Sequence, residues 1–194
     1  MHRRGSDGSR SGQPLPIGVQ LQVLRDDETS HLQIPRVREV LEAGFKGDFS
    51  DADWAHTLGG WRIVALVDDA LVSHAAVVPR TITVADNPFR AGYVEGVVTR
   101  PDRHGEGLGS LVMEEVTRLI AGDFELGALS TALTDFYRRF GWEPWQGQSY
   151  VRDGERLVRT ADEDDGIMVL RCGPSLGISL DGSIACDRRS GDDW

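Results

Sequence analysis

The segment RPDRHGEGLG, residues 100–109, constrains the fold of this chain more than any other stretch, because it places three glycines within five positions. It follows the apolar run YVEGVVT, which is typical of a strand. The buried stripe of an amphipathic helix comes directly after it: Leu108, Leu111, Val112, Val116, Leu119 and Ile120. Glycines at such a junction let the backbone approach a ligand, and the N–H groups of a helix N-terminus attract anions. The segment therefore predicts a turn that binds phosphate.

Strand patterns dominate the rest of the chain. Alternating or β-branched apolar residues predict strands in VQLQVL, WRIVALV, ALVSHAAVVPRTITV, FRAGYVEGVVTR and FELGALS. The dipeptide Asp68–Asp69 separates the second of these segments from the third and predicts a hairpin turn. Two shorter strand-like pieces, SYVR and GIMVLRC, lie on either side of the acidic run DEDD.

Two further helices are predicted, and with the strands they define the fold class. The first helix is indicated by the spacing of Leu32, Val37, Val40 and Leu41, with Thr29 or Ser30 as its N-cap and Gly44 near its end. The second is the short segment LTDFYRRFGW, closed by Gly141. This order predicts an α/β fold with a single mixed sheet and helices on its faces, over residues 17–194. Residues 1–16 are rich in Gly, Ser and Arg, and we expect a disordered tail there.

The charge and the cysteines exclude several classes of partner. The chain has 31 acidic against 21 basic residues, a net charge of -10, whereas a nucleic-acid binder presents a basic face. No apolar run is long enough to span a bilayer, and the N-terminus lacks the apolar core of a secretory signal. Cys172 and Cys186 have no zinc-type spacing. We therefore expect a cytoplasmic protein with no metal site and no nucleic-acid or membrane partner.

Three kinds of phosphate-binding loop are consistent with a glycine-rich turn, and the sequence separates them. A P-loop requires a lysine after its last glycine, but the only lysine, Lys46, lies far from this turn. A dinucleotide fingerprint would put its third glycine at Ser110, after about a hundred residues without βα units. The third candidate is the acyl-CoA loop of the GNAT N-acetyltransferases, and HGEGLG resembles it at Gly107 and Gly109. His104 stands where that loop usually has Arg or Gln.

Further segments narrow the resemblance within the GNAT superfamily. FYRRFGW is similar to the short GNAT helix that carries a tyrosine and ends in a glycine and an aromatic residue. Five separated segments, in order and with near-constant spacing, resemble the aminoglycoside 2'-N-acetyltransferases: GDFSDADWAHTLGG, GYVEGVVTR, LGALS, GWEPWQG and CDRRSGDDW. The similarity extends from about residue 17 to the last residue.

This resemblance implies a GNAT fold, acetyl-CoA as the acetyl donor, an aminoglycoside as the acceptor, and a homodimer. The CoA contacts that it implies are Val97, Val98, Thr99, His104, Gly105, Glu106, Gly107, Leu108 and Gly109. The acceptor contacts that it implies are Asp48, Asp53, Glu95, Gly96, Ser130, Glu163, Asp164, Asp192 and the terminal carboxylate of Trp194.

Two residues are the candidates for acid–base chemistry. Glu95 lies in a strand otherwise composed of Tyr, Val and Gly, where an unpaired charge is costly, so a functional role is favoured over a structural one. We expect Glu95, through water, to accept the proton of the acceptor amine. Backbone N–H groups near Val97 or Val98 would hold the thioester carbonyl. Tyr137, whose position follows from the resemblance, would protonate the departing CoA thiolate.

Three other functions stay open from the sequence. The first is a GNAT enzyme that acetylates another polyamine or amino sugar, because a cleft lined by carboxylates selects charge more than shape. The second is a non-catalytic protein that binds CoA or an aminoglycoside, for which the His104 departure is the only support. The third is an acidic protein-interaction module, which predicts no CoA binding at all.

Overall fold

A mixed sheet dominates the computed structural model, which describes residues 16, 18–28 and 33–194. Within these residues the sheet has ten strands. Their bounds are β1 Val19–Arg25, β2 Trp61–Val67, β3 Ala70–Val84, β4 Asn87–Thr99, β5 Leu126–Ser130, β6 Glu143–Pro144, β7 Ser149–Asp153, β8 Arg156–Arg159, β9 Ile167–Arg171 and β10 Ile184–Asp187. The strands predicted from apolar patterns are confirmed, and three short strands, β6, β8 and β10, were not predicted.

The long strand β3 joins two parts of the sheet. Its first half pairs antiparallel with β2, and its last residues pair with β10. Its other edge pairs with β4 along nearly its whole length, and β4 in turn pairs parallel with β5. The turn between β2 and β3 lies at Asp68 and Asp69, as predicted, and both residues have positive φ (49° and 63°). Such angles are those of the two-residue turns that match the twist of a hairpin.

Four helices are present in the described part of the chain: α1 Gln33–Gly44, α2 Asp51–His56, α3 Leu108–Asp123 and α4 Thr134–Arg138. The prediction of α1, α3 and α4 is confirmed. The caps proposed for α1, Thr29 and Ser30, lie outside the described residues, as do Leu32 and residues 1–15 of the expected tail. Helix α2 was missed, although the capping box of Ser50 and Asp53 signals its start.

The apolar core lies on both faces of the sheet. On one face α3 buries Val112, Val116 and Ile120 against β2, β3 and β5, together with Tyr137 and Trp142. On the other face, one cluster packs around α1, and another gathers residues of the later strands around Trp145 and Trp194. The predicted arrangement of one mixed sheet with helices on its faces is therefore confirmed. None of the described helices is long and apolar enough to cross a membrane.

Strand β4 leaves its neighbour β5 halfway along its length, and this opening positions the site. The parallel pairing covers only Ala91 to Tyr93 of β4, which face Leu126 to Ala128 of β5. On its β3 side, β4 has a bulge, because Gly96 and Val97 together stand opposite Ala75. Gly96 has φ +56°, a conformation that glycine adopts without strain. The second half of β4 therefore borders a gap in the sheet.

One glycine that packs against α3 and one glycine within α3 give a matched test of this packing. A methyl group on Gly127 of β5 would lie 2.8 Å from Leu170 Cβ and 2.9 Å from Trp142, whereas one on Gly122 of α3 meets nothing within 4 Å. We expect Gly127→Ala to lower the free energy of unfolding by about 1–3 kcal/mol through overpacking. Gly122→Ala should raise it by about 0.5–1 kcal/mol, because alanine stabilises a helix interior. Urea unfolding measures the change in the free energy of unfolding for each variant. Equal changes in the two variants would contradict close packing around Gly127.

Candidate active site

The glycine-rich turn connects the end of β4 to α3, as predicted. Gly105 and Gly107 have φ values of +86° and +79°, which non-glycine residues rarely adopt. Gly107 is the N-cap of α3 and offers no side chain to the first N–H groups of the helix. The first turn contains no acidic residue. Its N–H groups, which have no intrahelical partner, are therefore free donors for an anion, aided by the helix dipole.

Gly109 allows α3 to approach the end of β4 closely. A methyl group at this position would lie 3.1 Å from the Thr99 hydroxyl oxygen. That hydroxyl is hydrogen bonded to Ser73 at 2.8 Å, so it has little freedom to move away. The requirement for glycine at 109 is thus one of space, whereas at 105 and 107 it is one of backbone conformation.

The basic side chains of the turn are already engaged. The Arg103 guanidinium forms two hydrogen bonds of 2.7 Å with the Glu106 carboxylate. The ring of His104 folds back, with Nε2 2.9 Å from the Thr99 carbonyl oxygen. Arg100 is bound in the same bidentate way to Asp102. The turn therefore presents backbone N–H groups but no unengaged cation to a phosphate.

Arg139, which sequence reasoning missed, stands beside the first turn of α3. It follows α4, and its guanidinium lies 4.7 Å from the centre of the Phe136 ring and 5.4 Å from that of Phe140. It donates to the Phe136 carbonyl and, at 3.4 Å, to the Ser110 hydroxyl at the third position of α3. Among the described residues, no carboxylate forms an ion pair with it. The sequence does show two adjacent arginines after Tyr137, but only the fold indicates which of them faces α3.

Tyr137 belongs to α4 and lies in the core on the face of the sheet that α3 covers. It is buried and packs edge-to-face against Phe136 and Trp142, with ring centres 5.0 and 6.4 Å away. Burial raises the pKa of Tyr137 to about 12, against the effect of a hydrogen bond with Thr131. The phenol is therefore un-ionised at any ordinary pH and can act as a hydrogen-bond donor.

Glu95 is held by an arginine that sequence reasoning did not assign. The Arg189 guanidinium donates to Oε1 of Glu95 at 2.6 Å, and both side chains are 17% exposed. Burial raises the pKa of Glu95, and Arg189 opposes this effect by charge and by its hydrogen bond. His56 and Arg80 also lower the pKa of Glu95, by their charges. A carboxyl group with a raised pKa is a stronger base than an ordinary carboxylate and is therefore better suited to accept a proton.

The last eight residues, 187–194, form hydrogen bonds with several parts of the predicted acceptor site. Arg189, bound to Glu95, also donates to the Asp192 carbonyl at 2.6 Å. Trp194 is buried, and its indole N–H donates to the Thr160 hydroxyl at 3.2 Å. Thr160 precedes the loop that carries Glu163, whose carboxylate accepts a hydrogen bond of 3.1 Å from Ser130. The end of the chain therefore brings together residues from β4, β5 and the DEDD loop.

Other predicted acceptor residues have structural partners or lie apart. The Asp164 carboxylate is bound by Arg159 and by the Ser149 hydroxyl, and the Arg159 hydrogen bond leads the interactions that hold the pKa of Asp164 at about 2. Asp53 caps α2, accepting from Ser50 N and Oγ at 2.7 and 2.8 Å. Asp48 is exposed on the loop before α2. Helix α2 itself contacts the end of the chain, since Nε2 of its His56 lies 2.6 Å from the Ser190 carbonyl oxygen.

The site is built from backbone N–H groups and from titratable side chains. Among residues 18–28 and 33–194, no group of three or more His, Cys, Asp or Glu side chains is arranged to hold a metal ion. The site instead combines free N–H groups for an anion, a gap beside a bulged strand, a buried phenol, and a carboxylate with a raised pKa. This arrangement can bind an anionic donor in the gap and a cationic acceptor at the acidic end.

Comparison with known proteins identifies the family. A family model described as an acetyltransferase (GNAT) domain matches residues 28–145. A protein of Mycolicibacterium fortuitum named aminoglycoside 2'-N-acetyltransferase is 45% identical over 161 residues, which are 81% of this chain and 82% of the relative. The chain belongs to the aminoglycoside 2'-N-acetyltransferase family of GNAT acetyltransferases. The predicted family and fold class are therefore confirmed.

Solved structures agree with the fold of this acetyltransferase. The Escherichia coli GNAT protein YhbS, solved in complex with CoA, superimposes with a TM-score of 0.63 at 14% identity, covering 90% of this chain and 93% of that protein. A GNAT acetyltransferase of Brucella melitensis, solved with acetyl-CoA, has a TM-score of 0.57 at 20% identity and covers 86% and 95%. At these identities the likeness concerns the fold alone.

Proposed function

We propose that this protein transfers the acetyl group of acetyl-CoA to the 2'-amino group of aminoglycosides. The observation that carries the proposal is the 45% identity to an aminoglycoside 2'-N-acetyltransferase over 81% of the chain. The gap beside β4 and the free N–H groups of α3 support the donor half of this reaction. The net charge of -10 supports the acceptor half, because an acidic surface steers polycations toward the site.

Acetyl-CoA lies, in this proposal, along the second half of β4 with its pyrophosphate at the start of α3. Backbone groups of Val97, Val98 and Thr99 line the gap, and the turn from His104 to Gly109 supplies N–H donors to the pyrophosphate. Arg139 supplies the positive charge that the turn lacks, because Arg103 is engaged by Glu106 and His104 by the Thr99 carbonyl. A guanidinium held by stacking on two aromatic rings is well ordered for such a contact.

Glu95 takes the proton of the attacking amine, through water. In the absence of an acceptor its carboxylate is paired with Arg189. An incoming ammonium group competes with Arg189 for the carboxylate. Glu95 then serves both as an anchor for the cation and as the acceptor of its proton. Ser130, Glu163, Asp192 and the end of the chain at Trp194 line the remainder of the acceptor cleft. Asp48, Asp53 and Asp164 stay predicted contacts from the family resemblance, since Ser50 holds Asp53 and Arg159 holds Asp164.

The neutral amine attacks the thioester carbon, and the carbonyl oxygen, as it becomes negative, is held by a backbone N–H of the bulge near Val97 or Val98. The C–S bond then breaks, the nitrogen gives up its second proton to the thiolate through water, and Tyr137 donates a hydrogen bond to the departing sulfur. The phenol pKa of about 12 exceeds that of an ordinary thiol, about 8.5, by roughly three and a half pH units. Because the phenol is the weaker acid, Tyr137 stabilises the departing thiolate mainly by donating a hydrogen bond, and not by transferring its proton. No covalent enzyme intermediate is needed.

The proposed reaction also bears on the cellular location, the oligomeric state and the biological effect of the protein. A cytoplasmic location fits the use of acetyl-CoA and the two unpaired, buried cysteines, because disulfides are rare in that compartment. The homodimer implied by the family resemblance stays a prediction, which light scattering of the purified protein would test. Antibiotic resistance is the expected consequence of acetylating such a drug.

A comparison of acceptors tests the regiochemistry directly. We expect thiol release from acetyl-CoA with gentamicin or tobramycin, which carry a free 2'-amine, and none with kanamycin A, which carries a 2'-hydroxyl. Turnover is followed with a thiol reagent, and the product mass gives the number of acetyl groups added. Turnover with kanamycin A would contradict 2' transfer. CoA binding without turnover on any aminoglycoside would favour another polyamine acceptor or a non-catalytic binding protein. If CoA did not bind at all, the remaining function would be that of an acidic protein-interaction module.

Adjacent arginines provide a matched test of the pyrophosphate contact. Arg139→Gln should raise the KM for acetyl-CoA about tenfold and leave kcat within about twofold, because a charge-assisted hydrogen bond contributes about 1.5–3 kcal/mol. Arg138→Gln is the control, since Arg138 is exposed and faces only Asp135, at 3.8 Å. Steady-state kinetics with varied acetyl-CoA measures both. Equal KM values for the two variants would remove Arg139 from the cofactor site.

The pH profile tests the role of Glu95. The acid limb of kcat/KM for the aminoglycoside should lie above the pH at which an ordinary carboxylate titrates, because burial raises the pKa of Glu95. Arg189→Gln removes an interaction that lowers this pKa, so the limb should move to still higher pH. Arg188→Gln, which loses only contacts with Asp153 and Asp193, should leave it in place.

Glu95→Gln completes this experiment. It should abolish the acid limb and lower kcat by about 10²–10⁴-fold, the range of general base catalysis. Full activity in Glu95→Gln would reduce Glu95 to a binding residue. If the acid limb of kcat/KM did not move in Arg189→Gln, a group other than Glu95 would be responsible for it.

A further inference from the structure

A chain of buried polar groups ends at the bulge of β4 and has no part in the mechanism so far. Arg62 of β2 is 1% exposed, and its Nε donates to Asp26 Oδ1 at 2.9 Å. Its NH1 group lies 3.2 Å from Nε2 of His74, a β3 residue with no exposed surface. The other ring nitrogen of His74, Nδ1, lies 2.8 Å from the Gly96 carbonyl oxygen. Burying these groups is costly, because each must be desolvated, and their hydrogen bonds to one another offset part of that cost.

The contacts of His74 fix the position of its proton. A guanidinium can only donate hydrogen bonds, so Nε2 must accept from Arg62. A carbonyl oxygen can only accept, so Nδ1 must carry the proton and donate to Gly96. The ring is therefore a neutral imidazole of defined tautomer. Burial agrees with this assignment, because it lowers the pKa of His74 to about 3.

The Gly96 carbonyl belongs to the same peptide group as the Val97 N–H. A trans peptide is planar, so its C=O and N–H bonds point in opposite directions, and the Val97 N–H points away from His74. Both residues lie in the bulge opposite Ala75, and the pairing of β4 with β5 has already stopped at Tyr93. The Gly96 carbonyl is thus bound by a side chain instead of by the strand ladder, in a segment beyond the last residues of β4 that pair with β5.

We propose that His74 is a positioning residue that strengthens the Val97 N–H as a donor to the thioester carbonyl of acetyl-CoA. A hydrogen bond donated to a peptide oxygen polarises the whole peptide group and makes its N–H a better donor. Asp26 orients Arg62, Arg62 orients and polarises His74, and His74 in turn polarises the Gly96–Val97 peptide. The same hydrogen bond holds the bulge in place, where a side chain on Gly96 would meet Leu41 at 3.0 Å.

This inference rests on the proposed function only for its identification of the donor, acetyl-CoA. The acceptor has no part in it, because the carbonyl is polarised as soon as acetyl-CoA is bound. A measurement on the complex with acetyl-CoA alone therefore separates the two proposals. CoA itself lacks the carbonyl, so its affinity reports on the integrity of the site.

Two substitutions with the same number of side-chain heavy atoms and the same branching isolate the hydrogen bond. In His74→Asn the amide nitrogen takes the place of Nδ1 and keeps a donor to Gly96, whereas His74→Leu removes it. The measurement is the infrared band of the thioester carbonyl in acetyl-CoA labelled with ¹³C at that carbon, bound and free. We expect a shift to lower wavenumber in the wild type and in His74→Asn, and loss of most of that shift in His74→Leu. The kcat with tobramycin should fall about tenfold in His74→Leu and no more than threefold in His74→Asn.

The control measurements decide between polarisation and general damage. Removing an oxyanion donor outright costs about 10²–10³ in kcat, so weakening one should cost less. The affinity for CoA should change by less than twofold in both variants. An unchanged band and kcat in His74→Leu would overturn the proposal, as would a loss of CoA affinity as large as the loss of kcat. If His74→Leu does not fold, Arg62→Met decides, because it keeps His74 but removes its donor, and a wild-type band there would equally overturn the proposal.

Discussion

The separation of β4 from β5 is the constraint on which the rest of this structure depends. Parallel strands satisfy each other's backbone groups only while they stay side by side, and here pairing ends at Tyr93 and Ala128. Beyond this point β4 curves away through its bulge at Gly96, and its backbone borders a gap instead of a neighbouring strand. A sheet that opens in this way exposes hydrogen-bonding groups, and a ligand with its own polar backbone can satisfy them.

Charge is distributed around this gap in a consistent way. At the start of α3, N–H groups and Arg139 face the side where an anion would bind. At the other end, Glu95 and the carboxylates of the DEDD loop and the C-terminal segment form the acidic side. In the proposed function these two ends attract ligands of opposite charge, and the sheet orients a donor and an acceptor toward each other. Bringing two reactants together in this way contributes much of the rate enhancement in bimolecular reactions.

The local elements of the fold could be predicted from the sequence because their signals are local. The Asp68–Asp69 hairpin, the amphipathic stripe of α3 and the short helix α4, which ends at Arg138 shortly before Gly141, are each specified by a few neighbouring residues. Helix α2 was missed although its capping box is visible, because it has only six residues and a weak apolar pattern. Strand β10 was missed because its partners β3 and β7 are distant in sequence, so no local alternation had to specify it.

The sequence by itself determined the family, the glycine-rich turn, and the list of residue types that acid–base chemistry would need. Only the tertiary structure decided which of those residues are available. It paired Glu95 with Arg189 and Asp164 with Arg159, and it put His74 beneath the bulge. The reason is that ion pairs and buried hydrogen bonds join residues far apart in the chain, up to 94 positions for Glu95 and Arg189. Their effect on pKa depends on distance and burial in space, which only the folded sheet defines.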